Sequence, residues 1–351
     1  GPHAPRAQRH RQRRHGLSAP ALPDVSGDWF AGMRSGRWAD AWRATDRIEL
    51  ERRRRQVQPG FAWRPEYLRW DGTPLQGREV MVRCDHGLGD TLQFLRFVPL
   101  LGAARIHLMV QPQLLALLQG GPGLGEVHDW WTDAPLPPHE LEIEVMELPY
   151  ALRTTLDSLP PPYPHLRAQV AGVPRLDLGD DGRLRVGLLW AASEWDDSRS
   201  VGLPALAPLL GVAGARFYAL QQGQSAPLAL PIDDLSPRTR HIQQAAAAMC
   251  ELDLVISIDG MPAHLAGTLG VPTWVLLKHD ADWRWMEGRE DSPWYPGMRL
   301  FRQPVAGDWE SPIAAMVHEL RRVCTPRVRT SGNGNGNGNG NGAHAGVHTL
   351  R

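Results

Sequence analysis

The chain has 351 residues, 42% of them hydrophobic and 22% charged, a length that calls for two domains, because one core seldom grows beyond about 250 residues. Its 38 basic and 38 acidic residues cancel to zero formal charge, which excludes a global field drawing it to nucleic acid or anionic lipid. Three cysteines (Cys84, Cys250 and Cys324) without metal-ligand spacing exclude a disulfide framework and suit a reducing cytoplasm, and no apolar run reaches the roughly 18 residues of a spanning helix.

Residues 1–24, rich in Arg and His, lack apolar side chains to offset ordering entropy and read as a disordered basic arm; no signal peptide or membrane anchor is expected there. Residues 25–58 read as a helical hairpin. Trp29, Phe30 and Met33, then Trp38, Trp42 and Ile48, recur at helical spacing on either side of Ser35-Gly36. One such unit, similar to a tetratricopeptide unit, cannot bury its own apolar face and is expected to lean on the next domain.

Residues 59–165 alternate strand and helix: REVMVRCD, GDTLQFLRFVPLL, RIHLMVQ and PQLLALLQG. That alternation implies a parallel sheet covered by helices, a first Rossmann-like domain. The proline-dense LPPPYPHL near its end reads as a stiff connector. Residues 166–326 repeat the grammar with RLRVGLLW, LPALAPLLG, ARFYALQQ, IQQAAAAMCEL, DLVISID, MPAHLAGTLG and PTWVLLK, and SPIAAMVHELRRV closes the domain as a helix. Residues 327–351, with their GNGN repeat, have the composition of a flexible tail. The fold class is therefore α/β, with two doubly wound Rossmann-like domains facing a cleft behind an N-terminal hairpin. Ligands bind at the strand C-terminal ends of such sheets.

Four segments deliver residues suited to chemistry to those ends. In CDHGLGDTLQF, Gly87 and Gly89 allow close backbone approach, and Asp90 either takes a proton from an acceptor hydroxyl or merely caps the helix. In DLVISIDGMPAHL, Asp259 ends a strand; Gly260, Met261 and Ala263 offer amides to a diphosphate, and His264 follows in the first turn, as a phosphate contact or a structural histidine. In GLLWAASEWDDSRS, Arg199 is a candidate to neutralise a leaving diphosphate. In KHDADWRWMEGREDSPWYPG, aromatic rings suit stacking or core packing alike, so Trp283 and Trp285, with Trp190 from the preceding segment, are candidates for stacking on a sugar or base. Asp280-Ala-Asp282 matches the D-x-D that holds a metal in single-domain glycosyltransferases, but two serial Rossmann-like halves do not suit that class, and neither metal nor cofactor is expected.

Taken together, HGLGDTLQFLRFVPLL, RVGLLWA, DLVISIDGMPAHLAGTLGVPTWVLL and DWRWMEGREDSPWYPGMRLFRQ resemble, in order and spacing, the bacterial glycosyltransferases related to ADP-heptose:lipopolysaccharide heptosyltransferases (glycosyltransferase family 9), in the branch carrying tetratricopeptide repeats. The resemblance covers roughly residues 27–325. It implies a GT-B fold and metal-independent, inverting transfer from a nucleotide-sugar to a hydroxyl of a glycan, lipid-linked glycan or protein, in the cytoplasm or at the periphery of the inner membrane, without nucleic acid. Asp90 then matches the family's general base, Asp259 and His264 its D-x-x-x-x-H donor block, with His264 catalytic in stabilising the departing diphosphate, and Arg199 the basic residue that faces that diphosphate. Where relatives carry Lys or Arg in the L-Q-K-G block, this chain has Gln222, and Gly260 replaces a hydroxyl residue, so the donor site is altered. A catalytically degenerate module that binds a nucleotide or glycan is the alternative.

Overall fold

The computed structural model describes residues 26–56, 72–102, 105–192, 196–223 and 230–324. The basic arm and the Gly/Asn-rich tail lie outside them, as do most of the residues joining the hairpin to the first sheet. Among the described residues, no helix is long and apolar enough to cross a membrane.

Two helices open the described chain, α1 (Ser26–Arg34) and α2 (Trp38–Gln56), separated by a tight turn in which Gly36 takes a positive φ of 78°. Trp38, Ala41 and Trp42 of α2 are buried, so the pair does lean on the rest of the molecule. It leans on both sheets at once. Trp42 Nε1 donates to Thr154 O at 2.6 Å and Asp46 binds Tyr150 and Arg153 on the first-sheet side, while Trp38 stacks on Trp294 at 5.0 Å and Trp29 meets Trp283 at 5.2 Å on the second.

The first sheet comprises β1 (Glu79–Arg83), β2 (Arg105–Val110), β3 (Glu126–Asp129) and β4 (Leu141–Glu144), all parallel in the order β3-β2-β1-β4. Period-two alternation sorts its side chains. Val80, Val82, Ile106, Leu108, Leu141 and Ile143 join one core with Leu92 and Phe94 of α3 (Leu88–Phe94) and Leu114 of α4 (Pro112–Leu118). The alternate positions, Glu79, Met81, Arg83, His107 and Met109, face the other way. The long helix expected over GDTLQFLRFVPLL is instead α3 followed by a 3₁₀ stretch, Leu95–Leu101. Pro99 within it has no N–H to continue the α pattern.

The second sheet holds β5 (Leu184–Leu189), β6 (Ala215–Ala219), β7 (Ile232–Asp234), β8 (Leu254–Ile258), β9 (Thr273–Leu277), β10 (Asp291–Ser292) and β11 (Tyr295–Arg302), in the order β10-β11-β9-β8-β5-β6-β7. Every pair is parallel except β10 with β11. β8 and β9 are buried along their whole length, as strands covered on both faces must be. Helices α5 (Ile242–Cys250), α6 (Met261–Thr268) and α7 (Glu310–Cys324) accompany it. LPALAPLLG forms only two single turns, Leu203–Leu206 and Ala207–Leu210, each with a proline near its start.

The chain order fixes where ligands can enter. In the first sheet the chain runs outward from β1 to β3 and then returns to the other side of β1 with β4; in the second it runs from β5 to β7 and returns beside β5 with β8. Each reversal leaves a crevice at the strand C-terminal ends. Those ends carry Cys84–Gly87 and Glu144 in one sheet and Trp190–Ala192 and Asp259 in the other.

Candidate active site

Helix α3 rises from the first crevice and α6 from the second, and the two pack directly against each other. Gly89 makes this contact possible: a Cβ there would lie 2.8 Å from His264 Cδ2 and 3.2 Å from Met261 Cα. Both neighbours are firmly placed, one in a buried ring and one in backbone, so neither can give way easily. Gly89 is thus a helix-packing glycine; Gly87, exposed at the start of α3, is the one open to a ligand. Gly89→Ala is expected to destabilise the fold by about 1–3 kcal/mol, overpacking exceeding the gain of up to about 1 kcal/mol in helix propensity. Unchanged stability in urea unfolding would show that the two helices do not depend on this contact.

Asp90 sits between the crevices. Its Oδ2 accepts from the Gly87 N–H at 2.9 Å, which closes the first turn of α3, and its Oδ1 is paired with Arg284 Nη2 from the second half. Arg284 also donates from Nη1 to Asp282 Oδ1 at 2.7 Å, and its guanidinium lies 4.7 Å from the Trp283 ring centroid. Burial opposes its charge, but Asp282 and Asp90 outweigh that and hold its pKa above the ordinary value.

Beyond Asp282 the charges act through space rather than by direct contact. Asp259, at the end of β8, is 7% exposed; burial, reinforced by Asp282, raises its pKa to about 6. Its backbone oxygen accepts from Arg199 Nη1 at 3.2 Å. Arg199 Nε lies 3.5 Å from Asp196, and Lys278, the only lysine in the chain, donates to Asp196 Oδ2 at 2.9 Å and Ser198 Oγ at 3.0 Å. Beside Asp90, His86 is paired with Glu144 at 3.1 Å, and this hydrogen bond, against its burial, raises the His86 pKa.

The structure pairs Asp90 with Arg284 and Arg199 with the Asp259 backbone oxygen, and it gives several other candidates different surroundings from those expected. His264 is buried, its Nδ1 lies 3.0 Å from Tyr295 Oη, and its ring stacks on Trp285 at 5.4 Å. Burial, then Arg284, Arg96 and Arg199, depress its pKa to about 3, so it is a neutral packing residue and no cation for a diphosphate. The Ala263 N–H donates to Gly260 O at 3.1 Å and is likewise taken; Gly260 and Met261 remain at the start of α6. Gln222 spends its amide on Ser236 O and Thr239 O, holding a loop beyond β7. Trp190, Trp283 and Trp285 are buried: Trp190 belongs to the core around β5, Trp283 lies among Trp29, Phe94, Trp294 and Arg284, and Trp285 is covered by His264. Their faces are occupied, so the stacking role is not theirs in this structure. The D-x-D carboxylates diverge, Asp280 to Arg34 at 3.1 Å and Asp282 to Arg284.

Sequence reasoning missed Arg284, Lys278 and Arg96. A lone lysine just past the end of a buried strand was a readable signal; Arg284 was hidden among tryptophans. Arg96 carries no local signal at all. Buried on the 3₁₀ stretch, it donates to Gln93 O, Pro160 O and Trp294 O at 2.9, 3.1 and 2.7 Å and lies 5.0 Å from the Tyr295 ring centroid, tying the first half to the second.

No family model matches the chain. Among curated proteins it is 24% identical to protein FlbA of Caulobacter vibrioides, over 82% of this chain and 53% of FlbA, so it spans about half the length of that relative. Among solved structures it is similar to the glycosyl transferase family 9 from Veillonella parvula, at 13% identity and a TM-score of 0.46, over 72% of this chain and 98% of that one. It is also similar to the E. coli heptosyltransferase WaaC with ADP-2-deoxy-2-fluoro heptose, at 11% identity and a TM-score of 0.47, over 69% and 99% of the two chains. At such distance no residue role transfers, and the site stands on this chain's own geometry.

Proposed function

We propose that the chain is a glycosyltransferase of the GT-B type, moving a sugar from a nucleotide-sugar to an acceptor hydroxyl of a glycan, lipid-linked glycan or protein, with the first sheet as acceptor half and the second as donor half. The observation that carries this reading is the facing of two topological switch points that bring two charge clusters near Asp259, Asp90–Arg284–Asp282 and Arg199–Asp196–Lys278. A dianionic diphosphate fits where three cations gather near the start of α6, and a carboxylate across from it fits an acceptor hydroxyl. The ordered sequence blocks support the same reading.

In this mechanism the diphosphate takes Arg284, Arg199 and Lys278 as its partners. Arg284 thereby leaves Asp90, and the freed carboxylate accepts the proton of the acceptor hydroxyl as that oxygen attacks the anomeric carbon on the face opposite the departing diphosphate. Inversion follows from that geometry, and no metal is required in the step. The tetratricopeptide-like helix pair braces both halves through Trp38–Trp294 and Trp42–Thr154, which limits how far the halves can hinge.

One observation favours the alternative of a binding module without turnover: Asp90 already holds a guanidinium, and a carboxylate so engaged is not free to take a proton. Calorimetry with a panel of nucleotide-sugars, followed by assay of released nucleotide in the presence of acceptor extracts, separates the two. Binding with nucleotide release is the expected outcome. Binding without release would establish the module, and absence of binding across the panel would overturn both.

A further inference from the structure

On the face of the first sheet turned away from α3, a second group of residues is built for a different ligand. Strand β3 reads Glu126-Val127-His128, and residues two apart on a strand point to the same side. In the parallel register His107 of β2 lies against Glu126, and Met109 against His128, which sets the His107 ring between the two β3 side chains. Their donor atoms converge: His107 Nδ1 is 3.3 Å from His128 Nε2 and 3.7 Å from Glu126 Oε2, and the last two are 3.8 Å apart. Ligands bonded to one tetrahedral zinc at about 2.0–2.1 Å stand about 3.3–3.4 Å from each other, so these three atoms need to close by no more than about half an ångström.

We infer that His107, Glu126 and His128 form a divalent transition-metal site, of the two-histidine, one-carboxylate kind that suits zinc, with its fourth position open to solvent.

A second observation points the same way. The other ring nitrogen of His107, Nε2, is buried without a hydrogen-bond partner, and Glu79 Oε2 lies 3.8 Å from it, itself held by Arg105. Closed to hydrogen-bond distance on metal binding, that carboxylate would take the Nε2 proton's hydrogen bond and leave Nδ1 bare for the ion. His107 is 4% exposed and rigidly seated, whereas the Glu126 side chain is 65% exposed and that of His128 30%, which gives the ion a way in and leaves room for water. In the fold, the ion would pin β3, a four-residue edge strand, to its neighbour. The site is separate from the charge network around Asp90 and does not depend on the transferase reading.

The test uses the full chain freed of metal by chelator and titrated with Zn²⁺ by calorimetry and with Co²⁺ by visible absorption. One tight equivalent with an intense tetrahedral Co²⁺ spectrum is expected. Glu126→Gln, at an exposed position that does not threaten folding, and His128→Gln should each weaken that equivalent by about 10–100-fold or more and abolish the rise in Tm that Zn²⁺ gives the parent. The absence of a tight equivalent in the parent, or its survival unchanged in either variant with folding verified by circular dichroism, overturns the site; the latter places the metal on histidines elsewhere in the chain.

Discussion

Asp90→Asn is expected to lower the rate of sugar transfer by about 10²–10⁴-fold, the usual contribution of a positioned general base, while donor affinity stays within a few-fold of the parent. The substitution leaves one oxygen where Asp90 has two, so the Arg284 contact is given up and the fold is expected to lose about 1–3 kcal/mol without unfolding. An asparagine oxygen still accepts the Gly87 N–H that Asp90 Oδ2 accepts at 2.9 Å, and Arg284 keeps its Asp282 partner at 2.7 Å. What is lost is the ability to take a proton. Measuring kcat with saturating donor and acceptor, alongside donor Kd by calorimetry, tests the assignment, and full transfer activity in the variant would falsify it. Arg284→Gln gives the complementary result: a loss concentrated in donor affinity if the guanidinium moves to the diphosphate, and no such loss if it serves only to neutralise Asp90.

The second large effect is on stability against pH, where two buried groups act in opposite directions. Asp259, with its pKa raised to about 6, binds a proton in the folded chain that the unfolded chain, near an ordinary value of about 3.9, releases; it therefore penalises the fold at neutral pH, and the penalty disappears as pH falls from 6 to 4. His264, depressed to about 3, does the reverse. The unfolded chain takes up its proton near about 6.5 and the folded chain does not, so stability drains away as pH falls from there toward 3. Between about pH 6 and 4 the two nearly cancel at about 1.4 kcal/mol per pH unit each. Below 4 only the histidine loss continues.

Asp259→Asn removes one arm. The variant should be about 3 kcal/mol more stable than the parent at pH 7, an upper bound, and the advantage should shrink to near zero by pH 4 as the uncompensated His264 slope shows through. Denaturant unfolding of both proteins at a series of pH values reads the difference directly. A difference that stays constant with pH would mean that Asp259 ionises normally. The Arg199 contact, made to the backbone oxygen of residue 259 at 3.2 Å, survives this substitution, so the stability difference reads the carboxylate alone.

How much of this was legible beforehand depended on the length and isolation of each signal. β1, β2, β5, β6, β8 and β9 announce themselves as apolar runs, because a parallel strand covered on both faces must be apolar almost throughout. β3 and β4 do not; Glu-Val-His-Asp and Leu-Glu-Ile-Glu are short and charged, and only their neighbours in the sheet make them strands. The same charges go unnoticed as a cluster, since Glu126 and His128 gain meaning only beside His107, 19 residues earlier in the chain. Asp259 was readable because it directly follows a strand, and Asp90 because it lies in the first turn of the helix that follows one, both places fixed locally. Arg284 and Arg96 were not, because their partners, Asp90 and Trp294, lie 194 and 198 residues away.

The sequence by itself determined the α/β alternation, the two serial sheets, the helix pair ahead of them and the strand ends beside which Asp90 and Asp259 lie, all consequences of backbone periodicity and local hydrogen bonding. The tertiary structure decided everything that needs two distant segments in one place. It turned His264 and three tryptophans from cleft residues into packing, gave Gly89 to a helix contact, joined Asp90 to Arg284, and set three metal-binding side chains on one face. Burial and charge pairing are properties of the neighbourhood, and neighbours distant in sequence are brought together only by the folded chain.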